Sequence, residues 1–443
     1  MKSQRRQLGL AAAIAVVTGE STALGIFLTP ASMAKALGSP LLLAMVWSAM
    51  ACMALCGALC YSELAARLPQ AGGEYVYLRQ GYGERIAFLY GWMSATVMDP
   101  GVTAALVVGA VAYVQIFVPL GRHVATLLLP GAILMALATI NYFGTRLSGG
   151  VTATANFLKF ALLFALVGWA LLAGKGSIHH LAPFAIRRAG SEALFPAIAS
   201  AMVAAFFSFG GWWEAGKLAG EIRNPEKNLP RAFIGGVLLV TAVYMLISFA
   251  FLYIVPLENV VSNTTFVAQF GSALFGGAGE KILSVCVLIS VFGGLMALTM
   301  AAPRVYYAMA CDGALFPAFG RLHPRFGTPV NAILLQTGMA LLLLTLGAFD
   351  HILAYIIFSA VIFLGLSAAS LFRFEQPVVR WWYPAAPIVF LFGCFSIGVL
   401  ILMHDPMPAL LGLGIVLAGD LLRRHFFTAR PAQHTAEVEP TLS

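Results

Sequence analysis

The chain has 443 residues, 60% of them hydrophobic and 10% charged, with a mean hydropathy of +0.89. That much apolar surface excludes a soluble globular protein. The net charge of +8 comes without a basic patch interleaved with aromatics, so it gives no support to nucleic-acid binding.

Apolar runs of roughly 20 residues, the length that crosses a ~30 Å hydrocarbon core, recur along nearly the whole chain. They predict an all-α integral membrane protein of about twelve spans, centred near residues 22, 52, 101, 132, 163, 206, 242, 291, 338, 361, 392 and 414. The basic start and Ala-rich core of "MKSQRRQLGLAAAIAVVTGE" resemble a leader, but the apolar run continues past residue 20, which predicts a retained first span. That span carries "TGESTALGIFLTP" at residues 18–30, with Glu20 between Gly19 and Gly25. In the second span Cys52, Cys56 and Cys60 share one helix face, where cysteine packs as a small hydrophobe. None of the six cysteines falls in a predicted outer loop, so no disulfide-linked subunit is expected.

Asp99 precedes Pro100 near the middle of the third span, and Lys159 lies eight residues into the fifth, about 12 Å deep at a helical rise of 1.5 Å per residue. His179 and His180 fall in an outer loop, where a solvated pair is expected. The sixth span reads "FFSFGGWWEAGKLAGE", with Gly210 and Gly211 adjacent and Glu214 three residues on. Spans eleven and twelve carry few polar residues and read as scaffold or oligomer contact, followed by a short polar tail at 425–443. Placing both termini in the cytoplasm assigns most of the 26 Lys and Arg residues, including Arg5, Arg6, Arg67, Arg79, Arg223, Arg231, Arg321, Arg325 and Arg423, to that side, and leaves Lys159 as the one cation within a span. The excess also suits contact with anionic inner-leaflet lipid, and an integral plasma (inner) membrane location is expected.

Spans one and six are broken by glycine in a way the others are not, and unwound backbone at membrane depth is tolerated only where it lines a cavity or binds something. One opens the first five spans and the other the next five. An odd number of spans per unit inverts the second copy, so the chain reads as a single transmembrane transporter domain (1–443) built from a repeat at 8–174, an inverted repeat at 193–373, two further helices at 382–424 and the tail.

Five segments resemble the amino acid, polyamine and organocation transporter family, in its amino acid permease branch. They are "GIFLTP" with "GSP", "YSELAARLPQAGGEYVYLRQGYG", "NYFGTRLSGG", "FSFGGWWEAGKLAGEIRNPEKNLPRA" and "PRVYYAMACDGALFP". The resemblance runs through span ten and implies the LeuT-type 5+5 inverted repeat with helices one and six discontinuous. It also implies a site where the second half of span one offers amides near Thr22, Ala23, Leu24 and Gly25 to a substrate carboxylate. Relatives carry smaller residues where this chain has Leu24, which bears on pocket shape. Phe207 aligns with a gating aromatic, and Phe209, Gly210 and Gly211 with the unwound stretch of span six. Trp212 and Trp213 read as wall or packing residues, and Glu63 and Glu74 as latch residues beneath the site.

Four ionisable residues, Glu20, Asp99, Lys159 and Glu214, lie well inside predicted spans, and each is a functional candidate. Lys159 matches a lysine found where sodium-coupled members of the fold bind an ion. It is read as an ion substitute bridging spans one, five and eight, or as a proton carrier, against the plainer alternative of a lysine snorkelling to the interface. Asp99 either recognises a cationic side chain or satisfies donors freed by the Pro100 kink. Glu214 is a structural or gating acid. Glu20 pairs with Lys159, takes a proton, or contacts a substrate ammonium.

The expected function is therefore a secondary active amino acid transporter working by alternating access, sodium-independent, with proton coupling or exchange. Its partners are an amino acid, a proton as candidate coupling ion, and membrane lipid; no cofactor or metal is expected. The alternatives are a carrier of cationic amino acids, amines or polyamines, and a transporter-like sensor. HExxH and GxSxG motifs are missing, which argues against an enzyme.

Overall fold

With no water to satisfy backbone N–H and C=O groups in lipid, an apolar chain of this composition is driven to helix, where those groups pair within the segment. The computed structural model describes residues 6–260, 266–346, 349–375, 380–404 and 406–426, and the elements named there are helical. Arg5 and residues 427–443 of the expected tail lie outside them. Helix is present at the predicted span centres: Leu10–Ser21 with Gly25–Leu37, Pro40–Arg67, Glu84–Val114, Val124–Tyr142, Thr145–Leu172, Leu194–Glu221, Pro225–Ile254, Phe266–Cys311, Val330–Leu346, Phe349–Ala369, Ala385–His404 and Pro406–Phe426. Among the described residues nine segments are long and apolar enough to cross a membrane, or ten with the bent first pair counted as one. Val330–Leu346 falls short at 17 residues, and Pro406–Phe426 carries Asp420, Arg423 and Arg424 near its end.

Span one is two helices meeting at 43° across Thr22–Leu24. Span six stops being α-helical at Phe209, passes through Gly210 and Gly211, and resumes as a 3-10 helix over Trp212–Glu221. Gly211 sits at φ +94°, in the left-handed region, and a Cβ there would come within 2.5 Å of the Glu20 side chain. Both constraints select glycine. Gly25 is held by a close approach instead: a Cβ there would come within 2.6 Å of Ser208 Cα, so the second half of span one starts directly against the end of the first half of span six.

Span three stays continuous but contains a π-helical turn, Ser94–Met98, immediately before Asp99–Pro100, where proline removes an amide and the ladder must shift by one residue. Span eleven packs on spans two and ten, and span twelve on spans three and ten. Arg85 closes the latter contact with a two-pronged bond to Asp420, 2.9 Å on each side.

On the face of the bundle where the chain begins, the backbone forms a small seal. Gln7 and Leu8 amides donate to the Glu221 carbonyl at 2.8 and 3.0 Å, and the Arg223 amide returns a 2.8 Å bond to Leu8. The Glu221 carboxylate, buried, accepts from Arg304 Nε at 2.7 Å and from the Thr145 hydroxyl. These contacts join the approach to span one, the end of span six, the start of span five and the end of span eight. They also correct the charge count, because Arg304 and Lys217 are each 1% exposed and join Lys159 as buried cations.

A buried ion pair is costly to break from one side only. Arg304→Met should lower stability by about 3–5 kcal/mol, read as a loss of thermal midpoint or of monodisperse protein in detergent. The double variant Arg304→Met, Glu221→Gln should recover a large part of the loss. Equal losses in the two would show that the pair carries no stability of its own.

Candidate substrate and ion site

The last carbonyls of a helix have no partner within it, and at the break in span one each finds one elsewhere. Lys159 Nζ of span five donates to the Gly19 carbonyl at 3.0 Å. The Ala23 amide turns back to Glu20 at 2.9 Å. The Tyr244 hydroxyl of span seven lies 2.9 Å from the Ser21 carbonyl, and Ser290 of span eight donates to the Thr22 carbonyl. Tyr244 does a second job. Its oxygen is also 2.9 Å from the Ser208 carbonyl, at the end of the first half of span six. One hydroxyl thus bridges both broken helices, and its single proton serves one carbonyl at a time.

The start of the second half of span one is the complementary, positive end. Among the described residues the Leu24 and Gly25 amides have no hydrogen-bond acceptor, whereas Ala23, expected as a third donor, is occupied by Glu20. Across the gap the Gly210 amide bonds Phe207 rather than Phe206, which frees the Phe206 carbonyl from its usual amide partner four residues on. Amides of one half-helix and a carbonyl end of another therefore flank a cavity of about 140 Å³. Its lining is apolar: Val102, Ala105 and Leu106 from span three, Ile356, Ile357 and Ala360 from span ten, and Phe207 and Trp213 from span six. Among the described residues Glu20 is the only ionisable side chain in that lining. The side chain of Leu24 also leans on span three, where a Cβ on Gly109 would come within 2.8 Å of it, so the missing side chain of Gly109 receives the bulk of Leu24. A larger hollow of about 990 Å³, between Phe143–Leu158 and Leu288–Phe292, lies away from this gap and shares none of its lining.

Beneath the cavity the structure gathers charges that are scattered in sequence. Lys217 Nζ bonds Asp99 Oδ1 at 2.9 Å and Glu214 Oε1 at 2.7 Å, and all three are buried. Ser94, from the π turn, donates to the other Asp99 oxygen. Glu74, at the start of the helix Glu74–Tyr82, accepts from Tyr90 at 3.1 Å and faces Lys217 electrostatically, as does Glu20. The 72–82 segment is held there by its backbone, Gly72 N–H to the Lys217 carbonyl at 3.0 Å. One oxygen each of Glu20, Glu74 and Glu214 is buried without a hydrogen-bond partner.

The expected candidates are thus redistributed. Glu20, Ala23, Leu24, Gly25, Phe207, Gly210 and Gly211 line the cavity. Thr22 does not, since its hydroxyl bonds Thr18 and its carbonyl takes Ser290. Phe209 does not either; its ring stacks on Tyr244 at 5.2 Å and sits beside Trp47. Asp99 is occupied by Lys217 and so is not free to recognise a substrate cation. Lys159 reaches span one, but among the described residues it makes no hydrogen bond to span eight, which meets that crossing through Gly19 packed against Ala297 and Gly293. Glu20 packs on Gly211 rather than pairing with Lys159. Glu74 belongs to the buried cluster, whereas Glu63 bonds Arg67 and Arg380 near the surface. Trp213 lines the cavity, while Trp212 packs among Tyr61, Phe233 and Phe390. Lys217 was missed as a candidate; its spacing of three from Glu214 in an otherwise apolar run is the signal that it belongs inside.

The model of a family described as amino acid permease matches residues 8–410. The serine/threonine exchanger SteT of Bacillus subtilis (strain 168) is 30% identical over 94% of this chain and 95% of its own length. The Homo sapiens large neutral amino acids transporter small subunit 2 is 28% identical, covering 94% and 79%. The Homo sapiens cystine/glutamate transporter is 24% identical, covering 94% and 84%.

Tyr244→Phe removes only the hydroxyl that bridges the two broken helices. A lost buried hydrogen bond of this kind costs about 1–3 kcal/mol. The variant should fold, with a lower thermal midpoint and a matching loss of amino acid uptake in proteoliposomes. Wild-type uptake would show that the bridge is dispensable.

Proposed function

Because the chain belongs to the amino acid permease family, a family of multi-pass membrane transporters rather than enzymes, we propose that its central cavity carries a neutral amino acid, bound as a zwitterion. The observation that carries this reading is the meeting of two half-helix ends of opposite polarity at one apolar cavity. The carboxylate docks on the Leu24 and Gly25 amides, where a helix N-terminus favours an anion. The ammonium docks on the Phe206 carbonyl side, bordered by Glu20. The side chain then points among Val102, Leu106, Ile356 and Trp213. A volume of about 140 Å³ is close to the ~150 Å³ cavity that admits a benzene ring. Side chains from alanine to leucine fit it, and larger ones require the walls to move.

The relatives' names give serine/threonine, large neutral amino acids and cystine/glutamate as substrates. All of these share the zwitterionic head that the two helix ends address. The case for a cationic substrate rested on acids outnumbering bases inside the spans. Lys217 weakens it, since Asp99 and Glu214 already share an internal ammonium.

Lys159 takes the place of a coupling cation in this reading. Its ammonium is delivered by span five to a carbonyl of the broken helix, so the break stays satisfied without sodium. Transport is then coupled to protons or to a second amino acid. Residues 8–174 and 193–373 act as inverted copies, one rocking against the other about the cavity. The face sealed by Glu221 and Arg304 is the cytoplasmic one, in a plasma membrane.

Labelled leucine uptake in proteoliposomes tests this, with sodium replaced by choline and with alanine, serine, threonine, arginine and putrescine as competitors. Neutral amino acids should compete, uptake should persist without sodium, and Lys159→Met should reduce it by about tenfold or more, which corresponds to ~1.4 kcal/mol. A sodium requirement, or competition by arginine and putrescine alone, would overturn the reading. Thermal stabilisation by leucine with no uptake would point to a sensor.

A further inference from the structure

We propose that Glu20 carries an exchangeable proton when the cavity is empty and gives it up when a substrate ammonium arrives, so that the buried cluster beneath the cavity makes this protein a proton/amino acid exchanger. The proposal rests on the reading that the cavity takes a zwitterionic amino acid.

The argument begins with charge balance. Asp99 of span three and Glu214 of span six bond the ammonium of Lys217, and Glu74 of the 74–82 helix and Glu20 of span one act on it through space. Among the described residues the other titratable groups facing the cluster are the buried phenols Tyr61, Tyr77, Tyr90 and Tyr306, and Lys159, which is bound to the Gly19 carbonyl one residue from Glu20. Four ionised carboxyls against one ammonium would leave several negative charges where burial makes each of them costly. The cluster of five is neutral only when three of its four acids hold protons.

The geometry then singles out Glu20. Asp99 and Glu214 bond Lys217 directly, and Glu74 is held by Tyr90. Glu20 has neither kind of partner, one of its oxygens is buried and unpaired, and it alone of the four borders the cavity. The nearly fully buried Glu74 and Glu214 also have one unpaired oxygen each, which marks the cluster as short of protons or cations. An ammonium seated beside Glu20 supplies the missing positive charge. The O–H bond of Glu20 breaks, its proton leaves to water through the open side of the cavity, and the carboxylate that remains faces the substrate ammonium. The charge at the Glu20 end of the cavity is unchanged, and the substrate carboxylate, which adds one negative charge, is met at the other end by the Leu24 and Gly25 amides. In the return half of the cycle a proton from the other side of the membrane refills Glu20.

A weakly buffered solution of the purified full-length protein, with a pH indicator, tests this when L-leucine is added. Wild type should release about one proton per leucine bound, and its leucine affinity should rise about tenfold per pH unit on the acid side, where proton and ammonium compete. In Glu20→Gln proton release should vanish and the pH dependence of both affinity and uptake should flatten. Leucine binding with no proton release, or equal release from Glu20→Gln, would overturn the proposal. If leucine fails to stabilise the protein at all, it is the substrate assignment that fails. The proton site is then judged without ligand, from the infrared carboxylic acid band between about pH 5 and about pH 8. A band that titrates in wild type and is missing in Glu20→Gln supports it, and identical spectra overturn it.

Discussion

Everything at the centre of this molecule depends on a rule about backbone in lipid: a helix broken at membrane depth must find a partner for each carbonyl and amide it exposes. Span one meets it by recruiting Lys159, Tyr244 and Ser290 from spans five, seven and eight. These bonds do more than silence polar groups. They tie three neighbouring helices to one short stretch, Gly19 to Thr22, and they leave unsatisfied the Leu24 and Gly25 amides beside the cavity. These two amides are what remains beside the cavity after the structural needs of the break have been met from within the protein.

The same stretch explains the apolar character of the cavity. Leu24 is large for a tight turn, yet its side chain is received by the space over Gly109, so it contributes wall and does not block the gap. With spans three and ten supplying Val102, Leu106, Ile356 and Ile357, selectivity for the side chain rests on shape and exclusion of water. Selectivity for the head group rests on helix polarity, which every α-amino acid satisfies equally.

Much of this was legible in the sequence, because glycine and charge inside apolar runs have few explanations. The two breaks, the depth of Lys159 and the importance of Glu20 were read from residue type and position. What escaped was whatever depends on packing between distant segments. Lys217 was passed over because a linear reading does not say which way it faces, whereas the 3-10 stretch Trp212–Glu221 carries the helix on and buries it. Asp99 was assigned to the substrate because its partner, 118 residues away, was invisible. Glu74 was placed beneath the site as a latch residue on the resemblance alone; what escaped is that it faces Lys217, whose carbonyl accepts from the Gly72 amide. Phe209 shows the reverse error: alignment with an unwound stretch says where its backbone lies, and Tyr244 decides where its ring goes.

Glu74 and Lys217 also bear on how binding in the cavity is felt at the far face. Lys217 sits between the cavity, through Glu20, and the seal, through Glu221 four residues on in the same helix. The 72–82 segment touches that helix by a backbone bond to Lys217 and by the electrostatics of Glu74. Any motion that opens the sealed face must shift Trp212–Glu221 away from Leu8 and from Arg304, and it therefore disturbs the surroundings of Lys217 as well. A low-dielectric interior makes the energy of the cluster sensitive to small displacements and to single charges. Among the described residues the Trp212–Glu221 helix thus joins the charged cluster to the seal, and a charge gained or lost at Glu20 would be felt along it.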